Sequence, residues 1–250
     1  MELQFEQDGE VIDMIGGSVP GVPGIVIGKN NYLTWSMTAP LNDNSDLYKE
    51  KLSENGDSYF VDGEWRKIEK REITIKVKGE EPTTFTLRRT HRGPLIDTDI
   101  LLANVGQLVG GDIPKLTKRA DYSFAWAGNY KNDDIFKYFK TIFFGRRVKD
   151  VIATLDEIGK DGYRGVAMNM VMADTENNIG YIMLLPAADR KNKTPFIGCR
   201  VLDGTTSEFD WTGLLPLSVN PRSVNPERGY IMTANNRQVP DNVKLDVGAT

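Results

Sequence analysis

Cysteine and histidine are nearly absent from this chain of 250 residues. Its one cysteine, Cys199, excludes a disulfide within the chain and leaves the cellular compartment open. A single cysteine and a single histidine cannot form the ligand clusters that zinc and other transition metals need. His91 is the one candidate base for a serine–histidine or cysteine–histidine site, and we interpret it as an ordinary polar residue instead.

The sequence also lacks long apolar runs, an excess of positive charge and phosphate-binding motifs. No stretch approaches the about 20 apolar residues that cross a bilayer, and residues 1–5 show no signal peptide. The formal net charge of −4 gives no basic surface, so we do not expect a nucleic acid partner. The sequence contains neither a Gly-x-x-x-x-Gly-Lys loop nor a Gly-x-Ser-x-Gly nucleophile elbow.

Most of the first half alternates between apolar and polar residues, which predicts antiparallel strands. The prolines and glycines of residues 16–24 exclude a helix or a central strand there. Asp62-Gly63 predicts a type I′ hairpin turn. The predicted strands cover residues 3–5, 11–15, 25–27, 32–38, 59–61, 64–66, 73–78 and 83–89. We expect the lysines and arginines of the last two strands on a solvated sheet face rather than in a binding patch.

Helical periodicity is confined to the second half. Apolar residues at three- and four-residue spacing predict one helix from Ile135, behind a cap at 132–134, and a second over 148–158. Further strands are predicted at 165–174, 179–184 and 230–234. The methionines of the first of these are expected to fill a core rather than line a ligand pocket. Antiparallel strands, a helix pair and more strands together predict an α+β fold.

Asp43 and Asp46 form the most suggestive acidic pair, because both lie in one short loop. Oxygen ligands at this spacing suit calcium, but the segment lacks the glycine at the sixth position of an EF-hand loop. A solvated loop is therefore the favoured interpretation of the pair. The residues by themselves predict an α+β domain without a complete catalytic set.

Nine short motifs follow one another from residue 17 to residue 236, within a patterned region that starts at residue 11. They are Gly17–Gly24, Gly28–Asn30, Trp35–Ala39, Asp43–Glu50, Arg89–Pro94, Asn178–Tyr181, Asp210–Gly213, Asn225–Tyr230 and Asn235-Asn236. Each motif is short, but their order and spacing together resemble the penicillin acylase family of N-terminal-nucleophile amidohydrolases.

The resemblance implies a fold and a reaction. The fold is part of an αββα sandwich, in which residues 1–250 form a single incomplete domain of the large (β) subunit. The reaction is hydrolysis of a linear amide through an acyl-enzyme on an N-terminal serine, whose α-amino group serves as the base. An amine with a pKa of about 8 can accept the hydroxyl proton, so no histidine is required.

The implied partners are a small-molecule N-acyl substrate and the small (α) subunit cut from the same precursor. Family members are often periplasmic or secreted, and the compartment of this chain stays open. The acyl and amine groups also stay open, since β-lactam side chains, acyl-homoserine lactones and lipoamides all fit the family.

Four site residues follow from the resemblance. The backbone N–H of Ala39 and the side-chain amide of Asn235 are the implied donors to the oxyanion of the tetrahedral intermediate. The alternative for Asn235 is a simple turn residue. Ile27 and Met168 fall at acyl-pocket positions, which suggests an apolar acyl group.

The family often binds a structural calcium ion near the acidic loop, and no other cofactor is implied. The matching positions are Asp43, the carbonyl of Ser45 and Asp46, with Pro195 and Asp246 aligned less securely. Asn44 replaces an acidic residue that some family members have, and this substitution weakens the expectation of a calcium ion.

The sequence also departs from the family at the nucleophile. Ser18 and Ser36 lie inside matched motifs and cannot serve, and Met1 and Glu2 offer no nucleophilic hydroxyl or thiol. One hypothesis is therefore a piece of an active acylase whose serine lies upstream, with these 250 residues inactive by themselves. The other is a non-catalytic relative that acts as a binding or structural domain.

Overall fold

The computed structural model describes residues 1–7, 9–22, 24–40, 43–96, 121–129, 135–194 and 197–236. Contacts divide the chain into two compact units, the first made of 1–44, 130–189 and 213–250 and the second of 45–129 and 190–212. The described part is mainly antiparallel sheet with two α-helices, so the predicted α+β class is confirmed. The assignment of 1–250 to one domain stays a prediction.

The elements are numbered along the chain. The strands are β1 (Glu2–Gln7), β2 (Glu10–Gly17), β3 (Ile27–Lys29), β4 (Leu33–Thr38), β5 (Ser45–Lys49), β6 (Lys51–Leu52), β7 (Ser58–Val61), β8 (Glu64–Lys67), β9 (Glu69–Ile75), β10 (Thr83–Arg89), β11 (Leu95–Ile96), β12 (Tyr122–Trp126), β13 (Met168–Asp174), β14 (Ile179–Leu184), β15 (Ala188–Arg190), β16 (Val201–Asp203), β17 (Trp211–Leu214) and β18 (Arg222–Val224). The α-helices are α1 (Ile135–Phe143) and α2 (Val148–Ile158), and short 3₁₀ turns span Ala127–Asn129, Ile197–Cys199, Ser207–Phe209 and Leu217–Val219.

The first unit is organised around one antiparallel sheet. Its described strands follow the order β1-β2-β3-β4-β13-β14-β18. Along β4 the side chains of Leu33, Trp35 and Met37 are buried, whereas Thr34 is exposed and Thr38 half-buried. Because successive strand residues point to opposite faces, this alternation assigns one face to the main core.

Helices α1 and α2 cover that core face. Tyr138 and Ile142 of α1 and Val148, Val151 and Leu155 of α2 pack in the same cluster as the buried β4 residues. The sequence predicted both helices. The structure adds the start of α2, where the Asp174 side chain at the end of β13 accepts a hydrogen bond from the N–H of Val148 at 3.0 Å. The predicted cap at 132–134 lies outside the described residues.

The opposite face of the sheet carries a smaller cluster. Tyr181 and Met183 of β14 pack there with Leu185 and Ala187, and Ile231 lies against them. The predicted strand at 230–234 is wrong, because this stretch has no strand pairing. Strand β18 already pairs with the edge of β14, so the later segment crosses the face instead of extending the sheet.

The second unit contains three further groups of strands among its described residues. Their orders are β11-β12-β5-β16, β6-β7-β8 and β9-β10, and β16 pairs with β5 in parallel. The predicted type I′ turn joins β7 to β8, with φ of 52° at Asp62 and 85° at Gly63. In the described part of both units, no helix has the length and apolar character needed to cross a membrane.

Strands β2 and β3 approach each other closely at a pair of glycines. Gly16 of β2 lies directly opposite Gly28 of β3. A Cβ atom on Gly28 would stand 2.4 Å from the Ile15 carbonyl oxygen and 2.5 Å from Cγ2 of Ile25. Neither strand can therefore carry a side chain at this crossing.

Replacing Gly28 with alanine is expected to destabilise the chain by about 1–3 kcal/mol, because the added methyl group overpacks a backbone contact. Urea denaturation followed by circular dichroism measures the change. Gly17→Ala is the matched control, since a Cβ there meets no atom within 4 Å. Equal stability of the two variants would contradict this account of the crossing.

Candidate active site

The end of β4 brings two distant residues together. The backbone N–H of Ala39 donates a hydrogen bond to Oδ1 of Asn235 at 2.8 Å, across 196 positions of sequence. Both residues belong to the first unit and both are exposed. The two residues that the family resemblance implies as oxyanion donors are thus in direct contact, and both are exposed to solvent.

Backbone geometry aims each of these groups. Ala39 is the first residue beyond the β4–β13 ladder, whose last pair is Thr38 opposite Asn169. Its N–H is therefore free to point at a side chain. Asn235 has a φ of 53°, in the left-handed region that asparagine tolerates better than most residues. That conformation directs the Asn235 carboxamide toward the strand end.

The arrangement can stabilise negative charge on an oxygen. The Ala39 N–H already holds an oxygen atom, Oδ1 of Asn235, at 2.8 Å, within the about 2.7–3.1 Å range of an oxyanion donor. The carboxamide of Asn235 carries an NH₂ group beside that oxygen. For both donors to face one substrate oxygen, the Asn235 side chain would have to leave the position that its Oδ1 occupies and turn its NH₂ group toward that position.

Sequence reasoning missed a buried asparagine that contacts the same strand end. Asn169 is fully buried, and its Nδ2 donates at 3.3 Å to both the Thr38 hydroxyl and the Ala39 carbonyl oxygen. The Tyr181 hydroxyl donates to Oδ1 of Asn169 at 2.9 Å. Burial raises the pKa of Tyr181, so this hydroxyl keeps its proton. The available signal was a polar residue inside the apolar run Met168–Met172.

The two predicted acyl-pocket residues are not brought together by the sheet register. Gly28 lies opposite Trp35, so Ile27 points to the opposite face from Trp35, and its side chain is 46% exposed. Met168 precedes Asn169 on β13 and packs against the helix-covered core. Their role in an acyl pocket stays a prediction.

The predicted calcium residues offer a poor fit to the ion. The Asp46 carboxylate is buried and accepts hydrogen bonds from Nε of Arg190 at 2.7 Å and Nη2 at 3.1 Å. Nε1 of Trp211 also donates to it, at 2.5 Å. An ion at Asp46 would have to displace these donors. Ser45 lies in β5, opposite Trp126.

Of the other predicted ligands, Asp43 belongs to the first unit, and Pro195 and Asp246 lie outside the described residues. Within the described ranges no group of three or more histidine, cysteine, aspartate or glutamate residues could hold a metal. Calcium binding stays a prediction.

His91 belongs to a hydrogen-bonded network inside the second unit. Its Nδ1 lies 2.9 Å from the Tyr59 hydroxyl and its Nε2 lies 2.9 Å from Oδ2 of Asp210. Nε of Arg92 donates to the other Asp210 oxygen at 2.6 Å. Burial raises the pKa of Asp210, but the hydrogen bonds from His91 and Arg92 outweigh burial and lower it overall.

Comparisons with known proteins identify the family and the fold. The sequence profile of the family described as penicillin amidase matches residues 1–250. The chain is 30% identical over 227 residues to acyl-homoserine lactone acylase QuiP of Pseudomonas aeruginosa, covering 90% of this chain and 25% of that protein. It is 28% identical over 253 residues to penicillin G acylase of Escherichia coli, covering 95% of this chain and 25% of that protein.

A solved structure shares the fold. The thermostable penicillin G acylase of Alcaligenes faecalis superposes with a TM-score of 0.73 at 22% identity, covering 98% of this chain and 40% of that one. The chain spans about a quarter of the length of the curated relatives that it matches.

Proposed function

This chain belongs to the penicillin amidase family, and we propose that it forms the oxyanion-binding part of an acylase that hydrolyses a linear N-acyl amide. The nucleophile in this proposal is an N-terminal serine outside these 250 residues. Its substrate is a small molecule with an apolar acyl group, and a small subunit from the same precursor completes the enzyme. The identity of the acyl and amine groups is left open.

The hydrogen bond between Ala39 and Asn235 supports the proposal most strongly. Hydrolysis of an amide passes through a tetrahedral intermediate whose oxygen carries a full negative charge. In the free protein, Oδ1 of Asn235 occupies the acceptor position in front of the Ala39 N–H. A substrate carbonyl oxygen would take that position when the Asn235 side chain withdraws from it and turns its NH₂ group toward it.

The proposed steps conserve atoms and charge. The serine oxygen attacks the amide carbon while the α-amino group of the same serine accepts the hydroxyl proton. The new oxyanion receives hydrogen bonds from the Ala39 N–H and from Nδ2 of Asn235. Collapse of the intermediate breaks the C–N bond, and the leaving amine takes the proton from the α-ammonium group. Water then hydrolyses the acyl-serine ester to release the acid.

The test is a pre-steady-state assay on the complete polypeptide that contains residues 1–250, after processing. With chromogenic phenylacetyl and fatty-acyl amides, we expect a burst of released amine and a protein mass increased by one acyl group. Denatured protein is the control for spontaneous hydrolysis. The competing hypothesis of a binding or structural domain predicts no release of amine above this control, either in a burst or at steady state, and that result would overturn the proposal.

A further inference from the structure

We infer that Asn169, held by Tyr181, is a positioning residue that fixes the direction of the Ala39 N–H. This inference rests on the proposed function, because it concerns how the same oxyanion donor is aimed. Asn169 itself does not reach the reacting oxygen, since its polar atoms are already bonded to Thr38, Ala39 and Tyr181.

Ala39 lies at the end of a strand ladder. The β4–β13 pairing stops at Thr38 opposite Asn169, and Ala39 is the next residue of the chain. The hydrogen bonds of this strand pairing therefore do not hold the backbone of Ala39, and other contacts must do so. A donor misplaced by about 1 Å can cost up to about 10²-fold in rate, so an oxyanion donor at this place needs additional restraint.

The hydrogen-bond partners of the Asn169 carboxamide determine its orientation. The Ala39 carbonyl oxygen can only accept a hydrogen bond, so the carboxamide atom facing it must be the NH₂ group. The Tyr181 hydroxyl then donates to the remaining oxygen at 2.9 Å. With Asn169 fully buried and Tyr181 6% exposed, the carboxamide is shielded from competing water.

Ala39 is held at both of its backbone polar groups. Its carbonyl oxygen accepts from Asn169, and its N–H donates to Asn235. The Thr38 hydroxyl, on the preceding residue, also accepts from Asn169. Because the Thr38–Ala39 peptide bond carries the oxyanion N–H, contacts on both sides of that bond restrict its rotation.

Asn169→Leu tests the inference in the active, processed acylase. Leucine has a similar size but donates no hydrogen bond, so we expect kcat to fall about 10–100-fold while KM changes less than about threefold. Tyr181→Phe removes only the hydroxyl that orients the carboxamide and is expected to reduce kcat about 3–10-fold. Turnover by the wild-type enzyme tests the proposed function, whereas the ratios of variant kcat to wild-type kcat test the role of Asn169.

Asn30→Leu is the matched control for loss of a buried carboxamide. Asn30 precedes the opposite end of β4, is 7% exposed, and donates to the carbonyl oxygens of Phe143 and Gly145 at 2.8 and 2.9 Å. We expect it to lower stability with kcat of the folded enzyme unchanged. Equal kcat in Asn169→Leu and Asn30→Leu would overturn the positioning role.

A double-mutant cycle separates positioning from general weakening of the fold. If Tyr181 acts only through the Asn169 carboxamide, Tyr181→Phe costs less kcat when Asn169 is already leucine, whereas independent effects multiply. Hydrogen exchange gives a readout that needs no activity. We expect the Ala39 amide to exchange at least about tenfold faster in Asn169→Leu and unchanged in Asn30→Leu. Unchanged exchange in Asn169→Leu would contradict the inference even if the wild-type protein has no turnover.

Discussion

Asn235→Ala is expected to reduce kcat of the processed acylase by about 10²–10³-fold, with KM changed less than about threefold. Alanine removes the NH₂ group that is proposed to face the oxyanion and leaves the Ala39 N–H as the remaining donor. The loss appears in kcat because the oxygen carries its full charge only in the transition state and the intermediate. Single-turnover measurement of amine release determines the acylation step directly.

Two further variants separate chemistry from backbone effects. Asn235→Asp keeps the size and an acceptor oxygen for Ala39 but has no donor, so its kcat should fall at least as far. Asn225→Ala is the matched control, because Asn225 also has a left-handed φ of 47° and accepts a backbone hydrogen bond, from Ile179 at 2.9 Å. A similar kcat for Asn225→Ala and Asn235→Ala would show that the effect arises from the turn conformation and not from oxyanion binding.

Arg92→Met is expected to destabilise the chain by about 3–5 kcal/mol, because it leaves buried carboxylates without their cation. The guanidinium is 2% exposed, and it bonds Glu50 through Nη1 at 3.0 and 3.1 Å and Asp210 through Nε at 2.6 Å. It also donates to the carbonyl oxygens of Gly204 and Thr206. Urea denaturation with tryptophan fluorescence and circular dichroism measures the loss.

An exposed ion pair, between Arg89 and Glu69, provides the control for this prediction. Arg89 on β10 carries the same side chain and pairs with Glu69 at 3.8 Å, with side chains 44% and 70% exposed. Solvent screens such a pair, so Arg89→Met should hardly change the denaturation midpoint. Equal midpoints for Arg92→Met and Arg89→Met would contradict a structural role for the buried pair.

The lowered pKa of Asp210 fixes the pH range in which this network stabilises the fold. A carboxyl group with a lower pKa in the folded state adds stability above its unfolded pKa of about 3.9, and this contribution is lost as pH falls through the folded value. Since Arg92 is one of the two groups that lower the Asp210 pKa, its removal should shift acid unfolding to higher pH. The acid midpoint of Arg92→Met against that of the wild type measures this shift.

The order and type of most elements could be predicted from the sequence. Alternation marked the hairpin of β7 and β8, and Asp62-Gly63 fixed its turn, because both patterns act over a few residues. Three- and four-residue spacing likewise marked α1 and α2. The strand predicted at 230–234 failed for a long-range reason, since β18 pairs with the sheet edge that this segment would have needed.

The sequence by itself determined most of the local elements, the α+β class and, through ordered motifs, the family, whereas the two oxyanion donors stay a prediction. The tertiary structure decided which polar side chains act on them. The resemblance implied that Ala39 and Asn235 meet, but only the folded chain shows their hydrogen bond across 196 positions, and only it shows that Asn169 and Tyr181 hold the same strand end. A buried polar group must find a partner, but only the folded sheet brings that partner within hydrogen-bond distance.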